Sequence, residues 1–130
     1  MWTNEKILKI AIEQSARDLC CGAEDFLKQG NVFVISESSP EAREYLTLPF
    51  SCQMVSYGNN VVASTSRELQ GIAEDYLRRT DVAHAFETPS IHLLNNALEQ
   101  EGQRICFMAE YFLPDLGRLA PLDCKYEMRI

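Results

Sequence analysis

The sequence predicts an α+β domain, with about five mostly antiparallel or mixed strands and about four to five helices packed on the sheet. Three observations carry this. Apolar residues recur at helical spacing in three separate stretches. Short β-prone runs stand between them, bounded by Gly, Pro, Asn and Ser. No internal repeat, low-complexity tract or linker divides the chain, so residues 1–130 read as one unit.

Taken in order, Asn4 to Leu19 places Ile7, Leu8, Ala11, Ile12, Ala16 and Leu19 on one helical face, with Thr3 or Asn4 as N-cap and Gly22 as stop. A short helix over Ala23 to Gln29 ends at Gly30. The run Val32 to Ile35 ("VFVI") is a buried strand. Ser39 and Pro40 open a brief helix through Leu46, because proline suits a first helical turn. From Cys52 to Ser64, two β-prone runs flank Gly58, Asn59 and Asn60, residues that tolerate positive φ, which predicts a hairpin.

Thr65 and Glu68 have capping-box spacing, and Leu69, Ile72, Ala73, Tyr76 and Leu77 continue as a helix to about Arg79. Thr88 and Pro89 start a further helix, with Ile91, Leu94, Ala97 and Leu98 facing inward and Gly102 ending it. "RICFMAEYFL", Arg104 to Leu113, is too apolar for a half-exposed strand, which predicts a central strand buried on both faces. After a loop with Pro121, Cys124 to Ile130 alternates strictly between apolar and charged residues, a β-strand pattern.

Composition restricts the function classes. The chain has 12 Lys+Arg against 19 Asp+Glu, a net charge of -7 that repels phosphate backbones and anionic lipid, so neither nucleic acid nor a membrane is an expected partner. The N-terminus is polar and of mixed charge, unlike a signal peptide, and the 5 cysteines follow no disulfide-scaffold spacing; together these point to a cytoplasmic protein with reduced thiols. No metal site is expected, since neither a C-x-x-C nor an H-x-x-x-H pair occurs and His84 and His92 stand eight residues apart. No catalytic residue is marked: a nucleophilic Cys106 served by His84 or His92 is the weakest reading, because an apolar run surrounds that thiol and predicts it neutral and buried.

Four residues stand out as candidates for a substrate cleft. Glu110 interrupts an apolar strand and needs a partner, because an unpaired buried carboxylate is very costly. Arg104 or Arg129 would satisfy it as an ion pair; alternatively, Glu110 with Asp115 would hold a cationic or amine-bearing ligand. Asn59 and Asn60 fit a polar loop over a pocket, and their turn role explains them as well.

The stretches "YGNNVVAS", "FETP", "RICFMAEYFLPDL" and "CKYEMRI" together resemble the N-terminal portion of a group of bacterial GNAT-superfamily acetyltransferases. In that group an N-terminal α+β domain precedes the catalytic domain, and a strand similar to "KYEMRI" leads into it. The resemblance implies acetyl-CoA as cofactor of the whole enzyme, an amine as acceptor, and a downstream GNAT domain as partner. The family binds the pyrophosphate of acetyl-CoA on an R/Q-x-x-G-x-G/A loop at a helix start. Here the glycines at 22, 30, 58, 71, 102 and 117 are never nearer than eight positions, so no cofactor is expected for this segment. It would supply substrate-cleft or oligomer contacts, including a homodimer through Lys125 to Ile130. The competing expectation is a small acidic protein-interaction domain that stands alone, without enzymatic activity.

Overall fold

The computed structural model describes residues 1–44 and 49–120. Helix α1 (Asn4–Leu19) is followed by a 3₁₀ turn (Ala23–Leu27), strands β1 (Val32–Ile35), β2 (Cys52–Ser56) and β3 (Val61–Thr65), helix α2 (Gln70–Arg79), a second 3₁₀ turn (Val82–His84) and helix α3 (Ser90–Gln100). The sheet order is β1-β3-β2, with β3 parallel to β1 and antiparallel to β2.

The central strand decides the architecture. All five residues of β3 are buried, so both faces of the sheet are covered. Register places Val32, Val62 and Val55 in one row across the sheet, and Phe33, Ala63 and Met54 in the next. Successive rows point to opposite faces. The valine row packs with Ile12, Ala16 and Leu19 of α1 and with Phe26. The other row packs with Leu69, Ala73, Tyr76 and Leu77 from the α2 region and with Leu94 and Leu98 of α3. The result is a helix layer, a thin sheet and a second helix layer.

Helix ends follow local chemistry. Thr3 caps α1, its Oγ1 accepting from Lys6 N at 3.2 Å. Both α1 and α3 close with a left-handed residue and a hydrogen bond reaching five residues back, Cys21 N to Ala16 O and Gln103 N to Leu98 O, each 3.0 Å. At α3 the left-handed residue is Gly102, as expected; at α1 it is Cys20, at φ 55°, two positions before the glycine the sequence nominates. The capping box expected at Thr65 is absent, because Thr65 is the fully buried last residue of β3. Ser66 enters α2 instead, its carbonyl accepting from Leu69 N at 3.2 Å.

The expected count of strands and helices is too high. Among the described residues there are three strands and three α-helices, still an α+β arrangement. Ala23 to Gln29 contracts to a 3₁₀ turn. Residues 40–44 form turns rather than the start of a helix, and Tyr45 and Leu46 lie outside the described residues, as does the expected terminal strand, Cys124 to Ile130, with its proposed homodimer contact. Arg104 to Leu113 is not a central strand: it forms no ladder, and every residue in it except the half-buried Ile105 is exposed. Apolar, β-prone composition describes fitness for a pleated, covered surface. Both layers over β3 are already filled by α1, α2 and α3, so that fitness finds no place in this sheet.

Relieving the left-handed strain at Cys20 should stabilise the fold. Cys20→Gly is expected to raise unfolding free energy by about 0.5–1 kcal/mol and Cys20→Val to lower it by about 1 kcal/mol or more, read from urea midpoints at constant slope.

Candidate functional site

The hairpin turn is bound to the 25–31 loop by three asparagines. Gly58 takes the positive φ of 96°. Asn59 Nδ2 donates to Lys28 O at 2.6 Å, and Asn60 Nδ2 donates to Asp25 O at 2.8 Å and Gly30 O at 2.9 Å. Asn31 Oδ1 accepts from Val61 N at 2.9 Å, completing an interlock of turn and loop. Asn60 is 1% exposed. Asn59 and Asn60 thus position backbone here, and no hydrogen bond or ion pair joins them to Glu110 or Asp115.

An open groove of about 600 Å³ lies between α2 and α3, lined by Asp75, Tyr76, Arg79, Asp81, His84 and Ser90 among others. Tyr76 donates its phenolic proton to Ala85 O at 2.8 Å and fixes the groove wall. Asp81 Oδ1 lies 3.0 Å from His84 N and 2.6 Å from His84 Nδ1. That contact raises the His84 pKa above its ordinary value and lowers that of Asp81. Asp75 pairs with Arg78 and, at 3.0 Å, with Arg79. The groove's charges therefore neutralise one another within single helical turns, and their exposure keeps each pair weak. Sequence reading missed the Asp81–His84 pair, although its i, i+3 spacing at a turn start was there to be read.

The thiols do not complete a nucleophilic site. Burial pushes Cys21 and Cys52 up to about 11, where the thiolate is scarce at neutral pH. Cys106 is exposed, contrary to the buried neutral thiol the apolar run predicts, and no hydrogen bond ties it to either histidine. Among the described residues, no group of three His, Cys, Asp or Glu side chains is placed to hold a metal ion.

The remaining candidate is a surface. From Gln103 to Asp115 the chain runs without turn or bend, and none of residues 106–114 enters a backbone hydrogen bond with the described residues. Its ends are tied by two asparagines: Ile105 N donates to Asn95 Oδ1 at 2.9 Å, and Leu116 N donates to Asn4 Oδ1 at 2.8 Å. Asp115 adds a bond from Asn4 Nδ2 at 2.8 Å and an exposed pair with Arg118. Between the ties, Phe107, Met108, Tyr111, Phe112 and Leu113 are 55, 52, 61, 84 and 44% exposed. Glu110 is exposed in the same run, so it needs no buried ion pair.

A buried charge reaches this strip from beneath. The Asp18 side chain is fully buried on α1 and accepts from Arg43 N at 2.9 Å, Arg43 Nε at 2.5 Å and Gln14 Nε2 at 3.1 Å. The Arg43 guanidinium in turn lies 5.8 Å from the Tyr111 ring centroid, within cation–π range. The sequence carries a signal for this: Asp18 falls seven positions after Ala11 and so on the inward face of α1, where a carboxylate requires a partner.

No family model, no curated protein and no solved structure matches the chain. No helix among the described residues is long and apolar enough to cross a membrane.

Two outcomes test this geometry. Asn60→Ala removes the donor for two carbonyls at the loop and should cost about 2–3 kcal/mol in denaturant unfolding; a loss below about 0.5 kcal/mol would deny it a structural role. Because the His84 pKa is raised, the pair's stabilisation is present below the ordinary histidine value of 6.5 and is lost as pH rises through the folded value. Because the Asp81 pKa is lowered, the same stabilisation is also lost as pH falls through the folded carboxylate value. Asp81→Asn should move the His84 midpoint down toward 6.5 in an NMR titration of the ring protons.

Proposed function

We propose that this chain is a non-catalytic accessory domain of a bacterial GNAT-superfamily acetyltransferase, working in the cytoplasm. Its part is to make contacts between protein surfaces, while transfer of an acetyl group from acetyl-CoA to an amine takes place in a separate GNAT domain. The observation that carries the docking role is the Ile105–Leu113 strip. Extended backbone, tied at both ends and carrying consecutive exposed aromatic and aliphatic side chains, is the surface of a protein that associates. The acetyltransferase part of the proposal is supported by the resemblance of "YGNNVVAS", "FETP", "RICFMAEYFLPDL" and "CKYEMRI" to that group.

The same strip favours the second reading, a small acidic interaction domain that stands alone. The two diverge on acetyl-CoA. The accessory reading expects an open reading frame past Ile130 that encodes a glycine-bearing pyrophosphate loop. A ligand held at a thousandfold excess over its Kd stabilises by about 4 kcal/mol, so acetyl-CoA should raise the Tm of that longer protein by several degrees. The 130-residue chain alone should show no shift. A stop codon directly after Ile130, or a longer protein indifferent to acetyl-CoA, would end the acetyltransferase reading, and a shift in the short chain would end the accessory one.

A further inference from the structure

We propose that the strip Ile105–Leu113 is a strand awaiting its partner, and that the partner is a second copy of this chain, paired antiparallel about a two-fold axis at Ala109. The inference rests on the docking role proposed above and is independent of the acetyltransferase assignment.

Three observations lead to it. The backbone amides and carbonyls from 106 to 114 make no hydrogen bond to the described residues, so a full ladder edge is available. The run already lacks turns and bends, and Asn95 and Asn4 hold its ends, so little further ordering is needed when a strand is added to it. Finally, aromatic and long aliphatic side chains present about 150–250 Å² each, so the exposed apolar residues of the strip offer roughly 600 Å² per copy. An added strand covers the flanks of these side chains and leaves the outer faces of the ribbon open, so two copies bury well under about 1,200 Å², the size of a weak, concentration-dependent contact.

The sequence is self-complementary in this register. With Ala109 on the axis, Phe107 of one copy faces Tyr111 of the other on one side of the ribbon, and Ile105 faces Leu113. On the other side Cys106 faces Phe112, and Met108 faces Glu110. Aromatic and aliphatic cross-strand pairs of this kind are favourable, and no charge stands directly opposite a like charge. The two Glu110 carboxylates become diagonal neighbours at roughly 7–8 Å, a repulsion the ribbon tolerates at its surface. Each copy also carries a net charge of -7, so added salt should favour the pair.

Sedimentation equilibrium of the 130-residue chain tests the proposal. A concentration-dependent dimer is expected, tighter in moderate salt than in low salt. With Ala109 as a hydrogen-bonded pair on the axis, Ala109→Pro removes a ladder donor from each copy and should weaken association at least tenfold, with an unchanged Tm at concentrations where both proteins are monomeric, since Ala109 makes no hydrogen bond to the described residues. Glu110→Gln should tighten association severalfold. In a Cys106→Ser background, Ala109→Cys should cross-link to a disulfide dimer under mild oxidation, whereas Leu119→Cys, outside the ribbon, should not. A chain that stays monomeric at millimolar concentration overturns the proposal, as does a dimer that Ala109→Pro leaves intact. A monomer whose 106–113 amides gain exchange protection only within a longer acetyltransferase would also overturn it, assigning the strip to the catalytic domain while the accessory reading stands.

Discussion

The structure depends on one constraint, the burial of β3 on both faces. A five-residue strand with every side chain covered must have a backbone partner along each edge and an apolar layer on each side. β1 and β2 supply the edges, α1 supplies one layer, and α2 with α3 supply the other. The identities within β3 follow from that position. Ala63, Ser64 and Thr65 are small, which lets the flanking layers approach, and the two valines provide most of the apolar volume. Because the sheet is three strands wide among the described residues, the helices are needed to make a core at all, and the two clusters lie on opposite faces of all three strands.

Much of this was legible in the sequence. The helical periodicity of α1, α2 and α3 and the Gly58–Asn60 turn come directly from residue spacing, because local spacing dictates which side chains share a face. What was not legible is which strand lies in the middle. By length and by its number of large apolar residues, "ICFMAEYF" outranks "VVAST", yet the former lies exposed and the latter is the centre. Burial is assigned by topology: β3 follows directly from a tight hairpin and is drawn between β1 and β2, whereas the later segment meets a sheet already covered. The misplacement of Cys106 and Glu110 as interior residues follows from the same error. Asn60, by contrast, looked like a surface turn residue and is buried, because its amide completes two loop carbonyls that no strand reaches.

Where the sheet ends, side-chain amides and carboxylates take over the work of a backbone ladder. Asn31, Asn59 and Asn60 bind the turn to the loop before β1, and Asp18 holds the backbone of Arg43. Asn95 and Asn4 fix the two ends of the strip. Each such bond contributes only about 0.5–1.5 kcal/mol net, somewhat more where a charge is involved. The segments they hold are therefore the ones that open at least cost, while the β3 core opens only with global unfolding. Stability is thus graded from a rigid centre to a strip whose hydrogen bonds to the described residues lie at its ends, with the Arg43–Tyr111 contact between them.

Glu110 acquires a physical reason in that light. An unpaired, apolar, extended run of this length is an aggregation hazard, since any other edge can add to it without limit. A single carboxylate in the middle of the run penalises stacked, in-register parallel assemblies, in which each Glu110 would lie one strand spacing, about 4.8 Å, from the next. An antiparallel pair about Ala109 sets the two carboxylates diagonally apart at a greater separation, so the penalty there is smaller. The residue that interrupts the apolar pattern therefore discriminates between ways of pairing the strip: it suppresses open-ended stacking more than it opposes a closed two-fold contact.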